Sequence, residues 1–111
     1  MLVIREKQIN SVVKERQTQF KKKVNTYIQK EHRNLIDKMS QTEIDVQIHS
    51  GIKKALSYDI SSETGIVSFI LLTFIAGLDF DINPHYGWAQ KILTNDHYSE
   101  NEKIEKLIHS I

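Results

Sequence analysis

The sequence predicts an all-α fold: a compact single domain of about five helices, with a long N-terminal helix and a buried central helix at about 62–76. Three observations carry this. The longest apolar run, Ile66 to Leu78, is broken only by Ser68, Thr73 and Gly77 and lies between charged segments. Most other apolar residues recur at three- and four-residue spacing, the period of an amphipathic helix. Ser40-Gln41-Thr42-Glu43 and Ser99-Glu100-Asn101-Glu102 carry the capping-box pattern that opens helices, and Ser61-Ser62-Glu63-Thr64 is a further N-cap signature. At 111 residues with 40% hydrophobic content the chain can bury a core without disulfides, and it has no cysteine to form them.

Residues 4–32 contain neither Pro nor Gly, and Ile9, Val12, Val13, Phe20, Val24, Tyr27 and Ile28 fall in one helical sector. Lys7, Lys14 and Lys21 flank that sector on one side, and Arg16, Lys23 and Lys30 on the other. Long basic side chains in such positions cover the apolar seam with their stems and keep their charges in water. Arg16 and Gln17 interrupt the stripe, which weakens a coiled-coil reading. A helix this long in so small a domain is expected to project or to meet a partner.

Residues 33–39 form a connection that tucks Leu35, Ile36 and Met39 onto the core. A second helix follows at 41–57, with Ile44, Ile48, Ile52, Ala55 and Leu56 on its inner face and Gly51 admitting a close neighbour. Tyr58-Asp59-Ile60 joins it to the central helix, which is apolar all round and therefore expected to be enclosed. Gly77 suits the position that ends that helix. The stretch LDFDINPHYG (78–87) makes the main loop, and within it Pro84 is placed to begin a short helix to about 94 with Trp88, Ala89, Ile92 and Leu93 facing in. Ile104, Leu107, Ile108 and Ile111 give the inner face of the last helix. The organisation is one domain over 1–111: a basic helix at 1–32 and a helical body at 40–111.

The apolar run does not reach across a membrane, since thirteen helical residues rise only about 20 Å against a hydrocarbon core of roughly 30 Å. The N-terminal residues carry charges at positions 5 to 7 and no apolar signal core, so the expected location is the cytoplasm. Residues 1–33 hold nine Lys/Arg against three Glu, a balance of +6, and residues 34–111 hold six Lys against eleven Asp/Glu, a balance of −5. The simpler expectation is that the basic helix packs on an acidic body; the other is an interaction arm.

No pattern points to catalysis. Asp79, Asp81 and Asn83 begin like a calcium loop, but the positions that need Gly and a bidentate Glu hold Pro84 and Gln90. Phe80 and Ile82 are expected to anchor the loop while the carboxylates cap amides and face water. The five histidines have no metal-ligand spacing, no glycine-rich loop is present to cradle phosphate, and no nucleophile elbow occurs. Neither an enzyme nor a cofactor is expected. Successive Lys21, Lys22 and Lys23 splay around a helix, so a phosphate-tracking face is disfavoured.

The segments MLVIREKQI, HSGIKKALSYDISSETGIVSFI, GLDFDINPHYGWAQKIL and SENEKIEKL resemble a family of small helical bacterial proteins encoded beside type VI secretion spike and effector genes. The most specific element is Gly77-Leu78-Asp79-Phe80-Asp81 followed by Pro84 and Trp88. The chain departs from the family in having Gly87 where members often carry proline, and in a more basic first helix. The resemblance implies a context more than a mechanism: a chaperone or adaptor for an effector or spike. An immunity protein for a cognate toxin is the alternative, and a nucleic-acid-binding or self-associating module (a homodimer through the first helix) is a further one. The residues expected to meet a protein partner are Lys14, Arg16, Lys21, Lys23 and Lys30.

Overall fold

In the computed structural model, the described residues are 18–110. Lys14, Arg16 and the start of the first helix lie outside them. Six α-helices follow one another: α1 over 18–31, α2 (Arg33–Ile36), α3 (Gln41–Ser57), α4 (Glu63–Ala76), α5 (Gly87–Leu93) and α6 (Glu100–Ser110), with a 3-10 turn at Pro84–Tyr86 before α5. The described residues contain no strand. The expected fold class is thus the observed one, with one added helical turn, α2, inside the predicted connection. Ile36 on that turn is buried, and Leu35 and Met39 pack beside it.

The caps explain the helix starts. Ser40 accepts from the Glu43 amide at 3.1 Å, and its hydroxyl donates to the Glu43 carboxylate at 3.1 Å. Ser99 and Glu102 make the full reciprocal box, with the Glu102 amide on Ser99 Oγ at 3.2 Å and the Ser99 amide on the Glu102 carboxylate at 3.3 Å. Ser62 caps α4 through the Gly65 amide at 3.0 Å. The end of α3 is a Schellman motif: Ile60 N–H reaches the Ala55 carbonyl at 2.9 Å and Asp59 N–H the Leu56 carbonyl at 3.1 Å. Asp59 supplies the required positive φ of 63° where glycine is usual, and Ile60 and Ala55 are both fully buried there.

One core cluster draws side chains from every helix, including Val24 and Ile28 of α1, Ile48 and Ile52 of α3, Phe69 and Ile70 of α4, Leu93 of α5 and Leu107 of α6. α4 sits at its centre, packed on α3, α6 and α2. The α3–α4 crossing is close because Gly51 faces Ile70, where an added Cβ would lie 2.9 Å from Ile70 Cγ1. This is the packing that the glycine predicts.

Two expectations about packing need correction. α4 is not enclosed on all sides by the described residues: Val67 and Leu71 are half-buried and Ile75 is exposed along one face. Its neighbours α2, α3 and α6 occupy the other sides. Leu56 and Ile108, each assigned to an inner face, are exposed because they fall just beyond their helices' buried stripes. Trp88 does face in, half-buried against the core, its indole edge-on to Tyr86 with ring centroids 5.7 Å apart. Ala89 and Leu93 take the buried positions of α5.

Candidate functional site

Two places gather side chains that can do more than pack. The first is the loop after α4. Gly77 ends the helix with φ 109°, a conformation side chains rarely tolerate. Two neighbours, Phe80 and Asp81, then turn inward between the exposed Asp79 and Ile82. Phe80 enters the core against Phe69 at a ring separation of 5.4 Å, while Asp79 and Ile82 point outward. Ile82 therefore does not anchor the loop; Phe80 does so alone. Asn83 caps the 3-10 turn by accepting from His85 N–H at 2.9 Å, and Pro84 opens it.

Asp81 does not face water. It is 3% exposed and accepts from Lys54 Nζ at 2.8 Å and from the Tyr58 hydroxyl at 2.7 Å. Lys54 also donates to the Leu78 carbonyl at 2.9 Å and lies 3.3 Å from the exposed Asp79. Lys54 and Tyr58 are one turn apart on α3, so a single helix face presents both to the loop. From the other side, the buried Lys103 of α6 donates to the Tyr58 carbonyl at 2.9 Å. The cluster fastens α3, the loop and α6 together.

Its electrostatics oppose proton-transfer chemistry. Burial raises the Tyr58 pKa, and the hydrogen bond and charge of Asp81 raise it further, so the phenol keeps its proton. Burial alone would lower Lys54, but the hydrogen bonds and charges of Asp81 and then Asp79 outweigh it and leave the ammonium favoured. A general acid or base works best with a pKa near the operating pH, and both groups are moved away from neutrality. Of the expected motif, Phe80 and Asp81 are buried, Gly77 ends α4, Pro84 opens the 3-10 turn and Trp88 lies half-buried on α5. Among the described residues no group of three or more His, Asp or Glu side chains is arranged to hold a metal ion, and no helix is long and apolar enough to cross a membrane.

The second place is the outer surface of α1. Ion pairs among the described residues are those of Lys54 with Asp79 and Asp81. Lys21, Lys22, Lys23 and Lys30 make none among the described residues. Lys23 and Lys30 are exposed, and Lys21 is half-buried against α3. There the Lys21 charge is the main cause that lowers the His49 pKa, with burial and Lys53 adding to it. Lys21 and Lys22 border a hollow shared with Asp45 and Ile48 of α3. Lys23 borders a groove of about 400 Å³ on the opposite side, between α1 and α4. Phe20, Val24, Val67 and Leu71 are the groove's apolar residues, and Tyr27 lies along it.

Sequence periodicity located the lysines but had no means of finding the groove, which needs α4's half-covered face. It also missed Lys54, Tyr58 and Lys103, whose partners lie 23 to 45 positions away. A further pairing it missed joins α6 to α4: the Glu100 carboxylate accepts from the amides of Ser61 and Ser62 and from the Ser62 hydroxyl. An added Cβ on Gly65 would lie 2.9 Å from the Glu100 carboxyl carbon. No protein family matches the chain, and no curated protein or solved structure matches it.

Proposed function

We propose that this is a non-enzymatic accessory protein that binds another protein through α1 and works in the bacterial cytoplasm. The observation that carries it is the absence of any ion pair on Lys21, Lys22, Lys23 and Lys30 among the described residues, with Lys23 at the rim of an apolar groove. Unpaired cations at the rim of apolar surface steer an acidic partner and set specificity more than affinity. The resemblance to proteins encoded beside type VI secretion genes supports a chaperone or adaptor for an effector or a spike component. Nucleic acid is a poorer fit, because Lys21 and Lys23 border opposite sides of α1 instead of one phosphate-tracking face.

The test is co-expression of the chain with the products of the adjacent open reading frames. A stable complex that survives size exclusion is the expected result. If no neighbouring product co-purifies, the protein-binding reading fails. Rescue of cells that express a neighbouring toxin alone would assign an immunity role, whereas an effect confined to export would assign an adaptor.

A further inference from the structure

α6 is held to the rest of the fold by little apolar surface. Of its eleven residues, Lys103, Ile104 and Leu107 are the buried ones. Two charged contacts add to them, and both end on the short link between α3 and α4. The Glu100 carboxylate accepts from the Ser62 amide at 2.8 Å, and also from the Ser61 amide and the Ser62 hydroxyl. One turn along α6, Lys103 Nζ donates to the carbonyl of Tyr58, the residue that caps the end of α3, at 2.9 Å. The signs suit the two helix ends, with the carboxylate at the positive start of α4 and the ammonium at the negative end of α3.

Each helix that these contacts join also closes its own end without them. α3 ends in its Schellman pair, with Ile60 N–H on the Ala55 carbonyl and Asp59 N–H on the Leu56 carbonyl. α4 is started by Ser62 Oγ on the Gly65 amide, and α6 by the box of Ser99 and Glu102. Residues 94–99, which lead into α6, include no buried residue. Their hydrogen bonds stay within the segment or run to Gln90, Ile92, Glu102 and Lys103, and none among the described residues reaches α3 or α4. We infer that α6 is a strap that opens as one unit on residues 94–99 while α3 and α4 stay packed. Opening parts the Glu100 and Lys103 clasps and bares Ile104, Leu107 and the surfaces of α4 and α5 on which α6 packs. Such a step is the sub-global opening of a small cooperative unit, and it is independent of what α1 binds. A detached helix of eleven residues is marginal in water, so the open strap loses its amide protection.

Native-state hydrogen exchange of the full-length chain, followed by NMR, tests this. In the parent protein the amides of 104–109 should share one opening and exchange at least about tenfold faster than those of Ile48, Ile52, Phe69 and Ile70. Ile48→Val trims a buried side chain of α3 beside α1, a contact that the opening leaves intact. It should speed exchange in α3 and α4 severalfold and leave the strap's rates unchanged. Glu100→Gln with Lys103→Met weakens both clasps and should speed the strap by about tenfold or more, with the helical circular dichroism of the chain retained. Strap amides as slow as those of α3 and α4 in the parent would overturn the inference. Strap rates that rise with Ile48→Val as the core's do, or that the clasp variant leaves unmoved, would overturn it as well.

Discussion

Asp81→Asn should destabilise the fold by about 3 kcal/mol, and the structure sets that size. The carboxylate is 3% exposed and accepts two short hydrogen bonds, from Lys54 Nζ at 2.8 Å and Tyr58 Oη at 2.7 Å. The amide keeps the volume but loses the charge and turns a donor toward one of two donors. Removing one member of a buried pair costs roughly 3–5 kcal/mol, because the other charge is left uncompensated. Lys54 is a quarter exposed and keeps the Leu78 carbonyl and Asp79, so the lower end of that range applies. For a domain of this size about 1 kcal/mol moves Tm by roughly 4–8 °C, which gives a fall of about 12–24 °C by circular dichroism. A paired replacement sharpens the test. Lys54→Met with Asp81→Leu removes both charges, and apolar replacement of a buried pair is often close to neutral, so the double variant should recover about 2 kcal/mol over the sum of the singles. A loss below about 0.5 kcal/mol for Asp81→Asn, or strict additivity in the cycle, would refute the fastening role.

Three further outcomes follow from other contacts. Gly51→Ala should cost stability, since its methyl would meet Ile70 at 2.9 Å, whereas Gly87→Ala should add about 0.4–1 kcal/mol because φ is −54° and the space is open; urea denaturation separates the two signs. Glu100→Gln should lose about 2 kcal/mol at neutral pH by weakening the charged cap on Ser61 and Ser62. The Glu100 carboxyl is held below its ordinary pKa by the Ser62 hydroxyl first and then the Ser62 and Ser61 amides, against burial. Its stabilisation is therefore present above the unfolded value near 4.5 and lost as pH falls through the folded value, and that acid limb should flatten in the variant. His49 should titrate below 6.5 by NMR and move upward in Lys21→Gln, which removes the main cause of its depression. With a depressed folded pKa, His49 favours the native state above pH 6.5 and costs stability as pH falls below it, because the unfolded chain takes the proton first.

The helices were legible in the sequence because their signals are local. Ser40, Ser62 and Ser99 fix three starts within a few residues, and the apolar spacing on α3 and α6 gives the period directly. The end of α3 was placed correctly at 57, although Asp59 fills the position where glycine is the usual marker. The loop misled in a physical way. The expectation turned Phe80 and Ile82 inward, whereas Phe80 and Asp81 turn in together, and Asp81 is met there by Lys54, 27 positions earlier. Ile82 then takes the outward place that its hydrophobicity argues against. The lysines of α1 were visible as a stripe, but their lack of ion pairs among the described residues is a property of the fold, and so is the groove that opens where α4 is left half-covered.

The measurement that bears most directly on the central claim is the association rate of the chain with its co-purifying partner as a function of salt. The parent protein should bind fast at low ionic strength and slow steeply as salt rises, the behaviour of electrostatic steering. Reversal of Lys21, Lys23 and Lys30 to Glu should lower the low-salt rate at least tenfold and flatten the dependence, with the melting temperature little changed. An unchanged rate and slope in that variant would show that the partner does not meet α1.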